Sequence, residues 1–257
     1  MGLKNENMAM AILDSALNID RSLVEIWLAK GDIHKSSERY EDALKNYEIA
    51  SAYDSKNWKG YYKQGVVLHY LGRLDEALSM LEKAFSFGPN QSGINHFLGL
   101  VFLSKENSQS ALSFLTEASK LNPDDANIWF HLGQAQSHLS EIRKSRVSFE
   151  KSLEIEPNNS EALYALGQAY RALGEKEESR ITLEKFKKIA DFEKSKKILQ
   201  KQISIRPNDL EIKKELAVLF ESNEDYRSAA EVWQQAAYFG DQNAQLELER
   251  LKSKLNP

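Results

Sequence analysis

The sequence predicts an all-α fold in which one pair of helices is repeated along the chain. Five glycines recur at a constant interval of 34 residues: Gly31, Gly65, Gly99, Gly133 and Gly167. Three prolines keep the same interval: Pro89, Pro123 and Pro157. Only 12 glycines and 5 prolines occur in 257 residues, which is few for a protein built of strands and tight turns. A fixed period of this length is typical of solenoids, in which each repeat is one supersecondary unit.

Each repeat is predicted to contain two helices. With the glycine as position 8, the units begin at Val24, Trp58, Ser92, Ala126 and Ser160. Position 20 carries small residues: Ala43, Ala77, Ala111, Ser145 and Ser179. Position 24 carries larger apolar residues: Tyr47, Leu81, Leu115, Phe149 and Leu183. The small residues let helix A (positions 2–14) approach helix B (positions 18–30), while the larger side chains fill the space beside them. Proline at position 32 ends helix B, because it cannot donate the interior hydrogen bond.

A sixth unit is predicted over residues 210–243, where Ala217 replaces the glycine. The register slips before this unit, because Pro157 and Pro207 lie 50 residues apart, which is 34 plus 16. One interpretation is a single long helix that continues the fifth unit to about Ser204. The other is a break near Asp191, a residue type that often caps a helix N-terminus. The continuous helix keeps the up-down alternation of the repeats, so we prefer it.

Both ends of the chain depart from the repeat. Near the N-terminus, Ala9, Leu13 and Ala16 match positions 20, 24 and 27, which indicates a helix B without its helix A. The C-terminal segment is an amphipathic helix whose leucines are expected to cover the last unit: Leu246, Leu248, Leu251 and Leu255. The predicted organisation is therefore a half-repeat or capping helix (1–23), five repeats (24–191), a helical extension (192–209), a sixth repeat (210–243) and a capping helix (244–257).

The repeats resemble the tetratricopeptide repeat, whose pattern is W-x2-L-G-x2-Y, then A-x3-F, then P. Trp129, Leu132 and Gly133 match the first part of that pattern. Ala111 and Leu115 occupy the second part, and Pro123 matches the third. The resemblance covers most of the chain. It implies a right-handed superhelical α-solenoid of antiparallel helix pairs, in which helix A lines a concave groove that binds peptides.

Composition and motifs argue against several other functions. The chain has no cysteine, so zinc fingers and thiol catalysis are excluded. A net charge of −4 argues against nucleic acid as the main partner. No phosphate-binding loop, nucleophile elbow or zinc-protease motif occurs. His131 and His138 are seven residues apart but lack further metal ligands at diagnostic spacing. We expect no enzyme, metal or cofactor. With neither a signal peptide nor an apolar run of the ~20 residues that a membrane span needs, we expect a cytoplasmic protein.

By the resemblance, positions 2, 5, 9, 12 and 13 of helix A face the groove. The candidate peptide-binding residues are Tyr62, His69, Tyr70, His96, Phe130, Gln134, His138, Tyr164, Gln168 and Arg171. One interpretation makes the aromatic residues anchors for a bound segment. The other makes position 5 a packing position between neighbouring A helices, with the aromatic rings filling space.

The function that the sequence favours is a non-catalytic scaffold or adaptor that binds a peptide segment of a protein partner. The alternative is the interaction domain of a larger protein, such as a transferase whose repeats select substrates. The oligomeric state is not predicted. Six lysines between residues 185 and 197 are either a patch for an acidic partner or, as we prefer, the solvated face of a helix.

Overall fold

A computed structural model describes residues 2–241 and 243–255. Met1, Gln242, Asn256 and Pro257 lie outside the described residues, so the outermost ends of the predicted segments 1–23 and 244–257 do too. The described backbone forms fourteen helices and no strand. The helices are α1 (Gly2–Ile19), α2 (Val24–Ser36), α3 (Tyr40–Tyr53), α4 (Trp58–Tyr70), α5 (Leu74–Phe87), α6 (Ser92–Ser104), α7 (Ser108–Leu121), α8 (Ala126–His138), α9 (Ile142–Ile155), α10 (Ser160–Leu173), α11 (Lys176–Ile205), α12 (Leu210–Ser222), α13 (Tyr226–Tyr238) and α14 (Ala244–Leu255).

The chain divides into two compact units, with the boundary between Ser179 and Arg180. The first unit holds α1 to α10 and the first turn of α11. The second holds the rest of α11 and α12 to α14. The boundary falls inside the segment 24–191 that the sequence assigns to five repeats. The division of the chain into repeats, extension and caps therefore stays a prediction.

In the first unit the helices alternate between two roles. Five A helices begin at the residues where the sequence places the start of a repeat, and each runs from position 1 to at least position 13: α2, α4, α6, α8 and α10. Each of the first four packs against the B helix that follows it, and that B helix packs against the next A helix. The A helices α4, α6, α8 and α10 also lie side by side, and we call them the A-helix layer. The all-α solenoid of helix pairs is thus confirmed.

Glycine at position 8 lies where helix A meets helix B of the same repeat. Gly31, Gly65 and Gly99 each face the large side chain at position 24, and a Cβ atom on any of them would stand 2.2–2.5 Å from it. Non-bonded contacts of a Cβ atom essentially never fall below 3.0 Å, so a side chain on any of these glycines would force the helices or the facing side chain to shift. The prediction that these glycines permit close packing is confirmed.

The second unit has its own apolar core. Ala217 and Ala229 are fully buried, and they pack with the larger side chains of Phe220 and Trp233. Helix α11 runs without interruption through Asp191 to Ile205, so the prediction of one long helix is confirmed.

The capping role of α14 is only partly as predicted. Leu251 is fully buried and Leu248 is partly buried against the core of the second unit. Leu246, however, is 70% exposed because it lies on the opposite side of the helix, and Leu255 is 41% exposed at the helix end. The expectation that all four leucines cover the last repeat is wrong for these two. None of the described helices is long and apolar enough to span a membrane.

Candidate functional site

The aromatic residues at position 5 of the A helices do not form one exposed column. Phe130 is 5% exposed and His96 is 9% exposed, whereas Tyr164 is 50% exposed. Phe130 belongs to the apolar core and its ring lies 6.0 Å from that of Phe149. The prediction that Phe130 and His96 are groove anchors is therefore corrected. Both are packing residues, because Phe130 packs against Phe149 of α9 and His96 against His131 of α8.

Between α4 and α6, the ring of Phe97 is the centre of an aromatic cluster. It contacts the rings of Tyr62, His69 and His96 at centroid distances of 5.8, 6.2 and 5.7 Å. Burial raises the pKa of Tyr62 to about 12 and lowers the pKa of His69. His69 Nε2 lies 3.2 Å from Ser104 Oγ. Tyr62 and His69 thus pack in the interface between the A helices of two neighbouring repeats and do not form a free surface.

His96 and His131 form a hydrogen-bonded pair between α6 and α8. His96 Nε2 lies 2.9 Å from His131 Nδ1. Burial lowers the pKa of both imidazoles, and that of His131 falls to about 4 with the further effect of His96. His131 is therefore engaged with His96 rather than with His138, and no group of three potential metal ligands occurs among the described residues.

An open cavity of about 290 Å³ lies between α8, α9 and α10. Three predicted groove residues line it: Gln134, His138 and Gln168. The other lining residues are Ser137, Ile142, Phe149, Ala165, Ala169 and Ala172. The cavity therefore has an apolar floor and a rim with two amides, a hydroxyl and an imidazole, which is the usual composition of a binding site.

The cavity exists because alanine stands at position 6 of the fifth repeat. The third and fourth repeats carry Phe97 and His131 there, and those rings occupy the corresponding joints. Ala165 leaves the same place empty beside Gln168. The sequence contained this signal as a run of small residues on α10, but position 6 was not among the positions expected to face the groove.

Two more predicted residues, Tyr164 and Arg171, lie on α10 next to the cavity-lining Gln168. Tyr164, Gln168 and Arg171 are spaced by four and three residues, so they share one side of the helix. Arg171 is exposed, and no carboxylate of the described residues is within ion-pair distance of it.

The remaining predicted residue, Tyr70, is 55% exposed and stacks on Tyr40 of α3 with ring centroids 5.4 Å apart.

The structure thus gathers five of the ten predicted residues into one site and leaves the others outside it. The site consists of Gln134, His138, Tyr164, Gln168 and Arg171 with the cavity that three of them line. We call this set the α8–α10 site.

An all-α solenoid of short helix pairs, with an open cavity between neighbouring A helices, defines the class of helical repeat proteins. Models of the tetratricopeptide repeat match residues 28–91, 126–159 and 148–181. Residues 28–91 and 126–181 accordingly consist of tetratricopeptide repeats, as the resemblance of the sequence predicts.

Solved structures show the same fold. YrrB, a TPR protein described as having an unusual peptide-binding site, is 25% identical with a TM-score of 0.58, covering 69% of this chain and 91% of its own. MamA is 22% identical with a TM-score of 0.57, and the match covers 65% of this chain and 92% of the MamA chain. A chain of the APC/C hetero-tetramer Cut9-Hcn1 is 16% identical with a TM-score of 0.61, covering 96% and 46%.

A curated relative is matched over a shorter stretch. Anaphase-promoting complex subunit 3 of Schizosaccharomyces pombe is 22% identical over 99 residues, which are 38% of this chain. The match spans 15% of the length of that protein.

Proposed function

We propose that this chain is a non-catalytic interaction scaffold that binds a peptide segment of a protein partner at the α8–α10 site. The observation that carries the proposal is the cavity of about 290 Å³ that Ala165 leaves between two A helices. The similarity to YrrB, whose structure is described as having a peptide-binding site, supports the same function.

The lining of the cavity suits one apolar side chain of an extended peptide. Phe149 and Ile142 provide an apolar floor, and burying a side chain of leucine size there is worth about 1.5–3 kcal/mol. The side-chain amides of Gln134 and Gln168 can each donate to and accept from a peptide backbone. Arg171, which has no carboxylate partner among the described residues, favours an acidic residue beside the apolar one. The preferred ligand is therefore an apolar residue with a neighbouring Asp or Glu.

A peptide-display selection against the wild-type protein tests the proposal. Selected peptides should share an apolar residue next to an acidic one. Ala165→Phe places in the cavity the side chain that the third repeat carries at the same position, so it should fold and weaken binding of the selected peptides about tenfold or more. Gln168→Ala should weaken binding about threefold to tenfold, the equivalent of about 0.7–1.4 kcal/mol for a lost hydrogen bond.

Lys151→Ala is the matched control, because Lys151 is an exposed residue of α9 that pairs with Glu154 away from the cavity. It should leave affinity unchanged. Peptides that bind Ala165→Phe and Gln168→Ala as tightly as wild type would show that the α8–α10 site is not the binding surface.

A second candidate is an interaction domain within a longer protein. The curated relative supports it, because only 15% of that protein is matched. An immunoblot of the native organism distinguishes the two. A band near the 29.3 kDa of this chain supports a stand-alone scaffold, and a clearly larger band supports the domain.

A further inference from the structure

Helix α11 presents a face that its own unit does not cover. In the second unit, Phe192, Leu199 and Ile203 pack against the core formed with α12 and α13. Two residues further along a helix is a rotation of about 200°, which points to the opposite side. Lys194 and Lys201 stand two residues after Phe192 and Leu199, and both are exposed. The side of α11 opposite its packed face is therefore basic.

The basic residues on this side follow a regular spacing. Lys187, Lys194 and Lys201 are seven residues apart, so they lie on one face and span about 21 Å of helix. Exposed apolar residues lie between and beyond them. Ile198 is 49% exposed, and Ile205, seven residues later, is 70% exposed. We call these five residues the α11 stripe.

The three lysines of the stripe are not engaged within the described part of the chain. None has a carboxylate within 4.0 Å there. Other basic residues of α11 do, since Arg180 pairs with Glu184 at 2.7 Å and Lys196 pairs with Glu193 at 2.6 Å. Glu184 and Glu193 thus pair with other basic residues of the helix and not with these three lysines.

We infer that the α11 stripe is a docking surface for an acidic amphipathic helix of a protein partner. Charge complementarity favours an anionic occupant, because these three lysines have no carboxylate partner among the described residues. The two isoleucines make that partner a helix with apolar residues. Their spacing of seven matches the interval at which a helix presents one side.

A phosphate backbone fits the stripe less well than such a helix. Ile198 and Ile205 stay exposed when the lysines bind phosphates, and Asp191 stands seven residues before Ile198 on the same side. A partner helix instead places apolar residues against the isoleucines and Asp or Glu against Lys194 and Lys201, in the manner of a heptad seam. The stripe lies wholly in the second unit and does not depend on the α8–α10 site.

The test uses the full chain and a fluorescent synthetic helix of roughly three heptads, with leucine at every seventh residue and glutamate flanking it. Three comparison probes are a peptide of the same composition in scrambled order, polyglutamate of the same length and single-stranded oligothymidylate. Anisotropy is measured at about 50 and about 300 mM salt, because screening weakens exposed charge pairs. The amphipathic helix should bind at least tenfold more tightly than each comparison probe.

Variants then locate the contact. Changing Lys187, Lys194 and Lys201 together to glutamate should weaken the helix at least tenfold, and Ile198→Ser with Ile205→Ser about threefold or more. The control variant, Lys188→Glu with Lys197→Glu, changes two exposed lysines that are not part of the stripe. Its loss of affinity for the amphipathic helix should be less than half that of the triple lysine variant. Circular dichroism should show equal helix content for all variants.

Absence of binding, equal binding of the scrambled peptide, tighter binding of oligothymidylate or an equal loss in the control would each overturn the inference. Ala165→Phe should not affect this probe, which keeps the test separate from that of the α8–α10 site.

Discussion

Gly133 of α8 lies directly against the ring of Phe149 on α9. A Cβ atom on Gly133 would stand 2.5 Å from Cε1 and 2.6 Å from Cδ1 of that ring. Phe149 is 2% exposed and packs against Phe130, although one side of its ring faces the cavity. The contact explains why a residue that costs about 1 kcal/mol of helix propensity relative to alanine stands in the middle of a helix.

Gly133→Leu should destabilise the protein despite improving helix propensity. The added side chain overpacks the helix crossing, at a cost of about 1–3 kcal/mol. Urea denaturation followed by circular dichroism measures the change. Asn127→Leu, at an exposed residue of the same helix, should change the free energy of unfolding by no more than about 0.5 kcal/mol. A neutral or stabilising Gly133→Leu would contradict the packing role of the glycine.

Phe130→Ala should act on stability rather than on a surface. Removing a phenylalanine that is 5% exposed leaves a cavity in the core and costs about 3–5 kcal/mol. Tyr164→Ala, at the same position of the next repeat but 50% exposed, should cost less than about 1 kcal/mol and instead weaken peptide binding. Thermal denaturation of the two variants compares them. Equal losses of stability would show that the two positions are equally buried in solution.

Acidification should destabilise the joint between α6 and α8. The folded-state pKa values of His96 and His131 lie below the ordinary value, so the folded state favours neutral imidazoles. The contribution of these neutral imidazoles to the free energy of unfolding is therefore fully present above about pH 6.5. It decreases as the pH falls toward 4, by up to about 1.4 kcal/mol per pH unit for each proton bound. The Asp125 carboxylate opposes this effect on both imidazoles, and His69 adds to it at His131.

Urea denaturation between pH 7.5 and 5 measures this dependence. His131→Phe, which copies the phenylalanine of the preceding repeat, should flatten it. His138→Asn changes an exposed histidine and should leave it as in wild type. A slope that His131→Phe does not alter would place the titrating groups elsewhere.

Trp129 closes the turn that precedes its own helix. Its indole Nε1 donates a 2.7 Å hydrogen bond to the carbonyl oxygen of Pro123, six residues earlier. Asn95 makes the corresponding bond to Pro89 at 3.1 Å. Trp129→Phe should therefore cost about 0.5–1.5 kcal/mol in urea denaturation. Tyr61→Phe is the control at the same repeat position, where the ring stacks on Phe87 and no such bond occurs among the described residues. A cost as large in the control would exclude the hydrogen bond as the cause.

Much of the fold could be predicted because it follows from local patterns. The interval of 34 residues located the A helices to within one residue, since helix length and termination depend on residues that are neighbours in the chain. The uninterrupted α11 also followed from its sequence, which has no helix breaker. The burial of position 5 was not predictable in the same way. Phe130 and Tyr164 occupy equivalent positions, yet one is in the core and the other is half exposed.

The sequence by itself determined the repeat, its two helices and the close contacts at Gly31, Gly65, Gly99 and Gly133, because periodic volume and helix geometry are properties of the chain alone. Only the tertiary structure decided which groove residues stay accessible. That outcome depends on the volume of side chains from a different helix: Phe97 and His131 fill two joints of the A-helix layer, and Ala165 leaves the third open. Because side chains from two helices fill each of these contacts, no single position in the sequence determines whether the contact is filled or open.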